Sequence, residues 1–139
     1  MYLIDTNVIS EIRKGDKANP GVRQFFETAV KNDQRLNVSV ITMGELRRGV
    51  DLIFHRGDRA QGRLLENWLN EILDQYQQNI LAIDSETALI WGKIRVPNPQ
   101  HPLDKLIAAT ALLYDLTVVT RNVEDFEGTG VRLMNPFAE

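Results

Sequence analysis

Short apolar runs alternate with longer stretches of helical spacing from one end of this chain to the other. Tyr2 to Ile4, Leu36 to Ile41, Ile80 to Ile83 and Leu116 to Val119 read as strands, with Val131 to Met134 as a fifth at an edge. Val8, Ile9 and Ile12 recur at helical spacing after the first run, and Val22, Phe25, Phe26, Ala29 and Val30 follow the opening at Asn19-Pro20. Thr42 and Glu45 have the spacing of a capping box, which starts a helix carrying Met43, Leu46, Val50 and Ile53. A second helix with Leu64, Leu65, Trp68, Leu69, Ile72, Leu73 and Tyr76 as an unbroken apolar stripe would pack on it as a hairpin arm at about 42–78. Asp84 or Ser85 caps the next helix, and Leu103 to Leu113 is apolar nearly all round, as a deeply buried helix would be. Parallel strands need crossovers long enough for a helix. The predicted fold is therefore α/β, a three-layer α/β/α sandwich around a central parallel sheet.

At 139 residues the chain has the size of one ordinary domain, read as spanning 1–139. Its 43% hydrophobic and 25% charged residues exclude a disordered or fibrous chain. Without cysteine there is no disulfide, thiolate metal site or cysteine nucleophile. The N-terminus lacks the basic start and apolar core of a signal peptide, and no run of about 18 apolar residues occurs, so a cytoplasmic protein without a membrane segment is expected. The net charge of −3 gives no general attraction for nucleic acid, so polyanion binding would need local cations or a bound metal.

In open α/β sheets ligands sit beyond the carboxyl ends of the strands, where the strand order reverses. Asp5 directly follows the first strand, Glu45 falls in the first turn of the expected helix after the second, and Asp125 lies just past the fourth. Asp104 joins them if its helix starts at the same edge. Singly, each has an ordinary explanation: a helix cap for Asp5, the capping box for Glu45, a helix dipole for Asp104, a loop for Asp125. Collected at one edge they would repel one another, and a compensating cation becomes necessary. Hard oxygen donors suit Mg²⁺ or Mn²⁺, which can bind a phosphodiester and ionise a water. Thr6 and Asn7 beside Asp5, and Thr120 and Asn122 at the end of the fourth strand, are placed to orient these acids.

Other residues have plainer readings. Arg47, Arg48, Arg56, Arg59 and Arg63 form either a solvated helical surface or an RNA-backbone contact, and Arg121 is placed to reach a phosphate. His55 and His101 fall in loop-like stretches without ligand spacing and are expected at the surface. Trp68, Tyr76 and Trp91 lie on apolar helical stripes and are read as core or interface. A receiver domain, a haloacid-type phosphatase and a dinucleotide binder are disfavoured: no Lys follows Val119, Asn7 stands where an Asp-x-Asp motif needs acid, and the first turn has no glycines.

Four segments together resemble the PIN-domain family, in particular the VapC and FitB-like toxins of bacterial toxin–antitoxin pairs. They are LIDTNVISE at 3–11, ITMGELRRG at 41–49, PLDKLIAATALLYDLTVVTRNVEDF at 102–126 and MNPF at 134–137. The resemblance implies a Mg²⁺- or Mn²⁺-dependent endoribonuclease toxin acting on tRNA or other structured RNA. It implies a homodimer and a VapB-like antitoxin that inhibits the site and carries the binding of promoter DNA. Asp5, Glu45 and Asp104 match the family's core acidic positions and are its implied metal ligands. Many relatives carry Asp where this chain has Asn122, so either Asp125, the candidate fourth catalytic acid, or Asn122 acting through water completes the site. The alternative is a non-catalytic nucleic-acid-binding regulator of the same fold, acting with its partner.

Overall fold

The computed structural model describes all residues, Met1–Glu139. The strands are β1 (Tyr2–Ile4), β2 (Leu36–Ser39), β3 (Ile80–Leu81), β4 (Thr117–Val119) and β5 (Arg132–Met134). The helices are α1 (Thr6–Ile12), α2 (Pro20–Lys31), α3 (Val40–His55), α4 (Arg59–Tyr76), α5 (Ser85–Ile94) and α6 (Pro102–Tyr114). All strands pair in parallel in the order β3-β2-β1-β4-β5. The expected parallel α/β/α sandwich is the fold observed. No helix is long and apolar enough to cross a membrane.

Alternation along the central strands divides the core in two, because successive side chains of a strand point to opposite faces. Ile4 and Val119 enter a cluster with Val8, Val22, Leu46 and Leu69, beneath α1 to α4. Leu3 and Val118, each one residue earlier, enter a second cluster with Ile107, Ala108, Leu116 and Phe126, beneath α6. Leu3 pairs with Val118 and Ile4 with Val119, so β1 and β4 present matching residues to both layers.

Polar side chains set where the helices begin. Asp5, Asn19, Asp58 and Asp84 each accept a backbone N–H at the start of α1, α2, α4 and α5. Pro20 pre-sets the first turn of α2. The expected cap at Thr42 is corrected: Ser39 caps α3 by accepting the Ile41 N–H, and the helix starts at Val40. Strand β2 accordingly ends at Ser39 rather than Ile41, and Glu45 sits in the second turn. Val40 and Ile41 read as strand, but in a first turn no earlier turn crowds a β-branched side chain. Helix α6 is also less buried than its composition suggests. Ile107 to Ala111 face the core, while Leu103, Leu112 and Tyr114 are exposed. Leu64, expected on the apolar stripe of α4, instead points to solvent.

The chain's end is strapped back onto α2. Asn19 accepts N–H groups from both Gly21 and Ala138, and donates its amide to the Ala138 carbonyl. A Cβ on Gly21 would lie 2.2 Å from the Pro136 carbonyl oxygen, so the strap passes where only glycine leaves room. The strap brings the Phe137 ring beneath the Arg121 guanidinium, 4.8 Å away.

Candidate metal centre

The strand order reverses between β1 and β4, since β2 and β3 lie beyond β1 while β5 lies beyond β4. The carboxyl ends of these two strands therefore bound the crevice where an α/β sheet binds its ligands. Asp5 leaves β1 there, and its N–H donates to the Val119 carbonyl at 2.9 Å. Thr120 leaves β4 opposite it. The Thr120 hydroxyl donates to Asp5 Oδ2 at 2.8 Å, the Thr6 N–H to Oδ1 at 2.8 Å, and the Asn7 amide to Oδ2 at 3.2 Å. Three donors fix the carboxylate of a residue only 4% exposed. Burial nonetheless wins: desolvation pushes the Asp5 carboxyl above its ordinary range against the lowering effect of these hydrogen bonds.

The neighbouring polar residues tie the strand ends to one another. Asn7 Oδ1 accepts the Arg121 N–H at 3.0 Å, and the Thr120 hydroxyl accepts the Asn122 N–H at 3.0 Å. The Thr6 hydroxyl donates to Glu45 Oε1 at 2.7 Å and lies 3.2 Å from the Thr42 hydroxyl. Thr42 is thus a buried contact between α1 and α3 rather than a cap. Through Thr6, Glu45 is brought from α3 to the end of β1. The Asn122 side chain makes no capping hydrogen bond and opens the 3-10 turn Val123–Phe126 that carries Asp125.

Asp104 reaches the same edge because α6 returns to β4 through a short link at Asp115-Leu116. A helix running back against the strand it precedes starts at that strand's carboxyl end. The Asp104 carboxyl is pushed up to about 6, first by desolvation and then by the carboxylates of Asp5, Asp125 and Glu45. Asp104 therefore feels the charge of the three other acids. No Lys or Arg pairs with any of them.

One neighbour of these acids was not expected. His101 lies between Asp104 and Asp125, with Nδ1 3.9 Å from Asp104 Oδ2 and Nε2 3.7 Å from Asp125 Oδ1. It lies exposed in a loop as expected, but beside two of the acids. The loop before α6 holds it: the buried Lys105 ammonium donates to the Asn98 carbonyl, and the Trp91 indole N–H donates to the Pro102 carbonyl. His101 itself adopts the left-handed conformation, φ 54°, as the chain turns into α6. No ligand spacing in the sequence announces this placement.

The arginines separate on inspection. The Arg47 guanidinium is held by Asp51 and Glu66, so its charge is already answered within the α3–α4 arm. Arg48 is exposed and makes no ion pair, and Arg121 rests on Phe137 beside the acidic edge.

A set of carboxylate oxygens at one edge, with Asp104 pushed up partly by its acidic neighbours and no Lys or Arg paired with any of them, fits a hard divalent cation. Asp5, Glu45, Asp104 and Asp125 are the carboxylates at this edge that could hold it.

A doubly wound parallel sheet with acids at its switch point defines a PIN-like α/β domain. The chain belongs to the PIN domain family, whose model matches residues 2–130. It is 34% identical to Toxin FitB of Neisseria gonorrhoeae over 142 residues, covering 99% of each. It is 29% identical to VapC ribonuclease Y4jK of Sinorhizobium fredii over 143 residues, covering 99% of this chain and 98% of that protein. Among solved structures, FitAB bound to the IR36 DNA fragment superposes with a TM-score of 0.85 at 31% identity, covering 100% of this chain and 97% of the other.

Proposed function

We propose that this protein is a divalent-metal-dependent endoribonuclease toxin restrained by a partner antitoxin. The observation that carries this reading is the gathering of Asp5, Glu45, Asp104 and Asp125 at the β1–β4 crevice with no Lys or Arg to neutralise them. The ribonuclease and toxin relatives support it. Asp5, Glu45 and Asp104, with Asp125 completing the site, would hold Mg²⁺ or Mn²⁺, which would supply Lewis acidity and make a bound water more acidic.

The chain's own groups set the geometry for that chemistry. Thr120, Asn7 and the Thr6 N–H hold Asp5 in one orientation, so little reorganisation is needed when charge develops on the phosphate. The Thr6 hydroxyl holds Glu45, and the Thr120–Asn122 link holds the turn bearing Asp125. Arg121 stands at the rim, where a phosphate of the RNA backbone would meet its guanidinium. Arg48 adds an exposed cation to the same approach, whereas Arg47 is occupied by Asp51 and Glu66. No side-chain nucleophile is required. The substrate is RNA, with structured RNA such as tRNA the first to try.

A VapB-like antitoxin is the proposed inhibitor in the cytoplasm, with promoter DNA bound only through it and the toxin present as a homodimer. The FitAB–DNA complex supports the partnership. A cleft lined by Thr6, Arg13, Glu45, Leu46, Ile53 and Trp68 runs from the α3–α4 arm to the acidic edge. A partner segment lying there would reach Glu45.

The test is cleavage of a structured RNA pool by the purified protein with Mg²⁺, with Mn²⁺ and with chelator. Cleavage is expected to require the metal, and to fall about 100-fold or more in Asp5→Asn protein that remains folded. Equal cleavage by wild type and Asp5→Asn, or cleavage undiminished by chelator, would overturn the reading.

A further inference from the structure

We propose that His101 is itself a ligand of the divalent ion, adding an imidazole nitrogen to the carboxylates of Asp104 and Asp125. The inference rests on the reading of the acidic edge as a cation site and adds to it a nitrogen donor that the carboxylate set does not contain. His101 stands 3.9 Å from one carboxylate and 3.7 Å from the other. Both separations are too long for hydrogen bonds. A histidinium recruited only to neutralise acid would close to about 2.7–2.9 Å on one of them. The ring instead faces both, one nitrogen toward each.

One ligand atom from each of His101, Asp104 and Asp125 lies within 4.8 Å of the other two. Donors around an octahedral ion at ~2.1 Å stand ~3.0 Å apart when adjacent and ~4.2 Å apart when opposite. Small rotations of exposed side chains close the remaining gap, and the His101 side chain is 51% exposed and free to make them. Its backbone is less free. The left-handed turn at His101 and the Lys105–Asn98 latch aim the side chain at the acids before any ion arrives. The three residues come from the loop end, the first turn of α6 and the turn after β4, so one ion would tie these segments together.

The donor set also has a consequence for metal choice. Imidazole nitrogen favours transition ions, whereas Mg²⁺ prefers oxygen. His101 therefore biases this site toward Mn²⁺ relative to an all-carboxylate one.

The experiment is pulsed electron paramagnetic resonance of Mn²⁺ bound to the full chain, reading the ¹⁴N coupling of a directly bound imidazole. The coupling is expected in wild type and in His55→Gln, which removes the other histidine. It is expected to disappear in His101→Gln and in His101→Gly, the latter keeping the left-handed backbone at no steric cost. Mn²⁺ affinity should fall about tenfold in both His101 variants, with Mg²⁺ affinity changing by less than about threefold. Mn²⁺ that binds wild type and is weakened by Asp5→Asn, yet shows no ¹⁴N coupling, would overturn the role of His101 while leaving the acidic site standing. Absence of Mn²⁺ binding would overturn both.

Discussion

In chelator at pH 7, Asp104→Asn protein is expected to be more stable than wild type, by about 1–2 kcal/mol. The Asp104 carboxyl titrates at about 6 in the folded chain, against about 3.9 when unfolded. A raised pKa means that the folded state holds the proton more tightly. The stability it contributes is fully present below pH ~4 and is lost as pH rises through ~6. Two pKa units correspond to about 3 kcal/mol at most. The side chain is 28% exposed, and solvent screening reduces this to about 1–2 kcal/mol. Asparagine is neutral throughout and avoids the cost. Wild type should therefore gain stability from pH 7 down to pH 5 relative to the variant. Divalent cation should raise the melting temperature of wild type and have little effect on Asp104→Asn. Urea unfolding in chelator checks the first part. A variant less stable than wild type at pH 7 would mean that the acids are held by attractions absent from this account.

Phe126→Ala is expected to cost about 3–5 kcal/mol, the usual range for emptying a buried phenylalanine site. The ring is 1% exposed and packs with Leu3, Ile107, Leu116 and Val118. It also anchors the 3-10 turn that carries Asp125, and the Phe126 carbonyl accepts the Thr129 hydroxyl at 2.6 Å. Removing the ring thus loosens the segment bearing the fourth acid as well as the core. Phe126→Leu, which leaves a smaller void, should cost about 1–2 kcal/mol. Denaturant unfolding measures both, and a loss below about 1 kcal/mol for the alanine variant would show that the turn is held by other contacts.

What the sequence revealed depended on how local the cause was. Asp5 was legible because a polar residue directly after an apolar strand in an α/β chain has one place to go. The LTVV run was legible as a central strand because both its faces are buried, Val118 toward α6 and Val119 toward α1 to α4. Glu45 was expected at this edge, and the Thr6 hydroxyl meets it there, but its helix starts three residues earlier than expected. Ser39 and Thr42 are both capable caps, and only the packing of Thr42 against Thr6 separates them. Asp104 needed a fact about topology, the direction of α6 against β4. His101 was missed because its position depends on a loop latched from Lys105 and Trp91, and such contacts leave no periodic trace. Arg47 was visible in advance as one partner of an i,i+4 pair with Asp51, and counting charges without pairing them hid that.

The carboxylates at the β1–β4 crevice are proposed to form a divalent-cation site. The most direct test is anomalous diffraction from crystals of the protein grown or soaked with Mn²⁺, recorded at the manganese edge. A peak bounded by the carboxylates of Asp5, Glu45 and Asp104, and absent from Asp5→Asn crystals, is the predicted result. Crystals that hold Mn²⁺ elsewhere on the protein, with no peak at that edge, would contradict it.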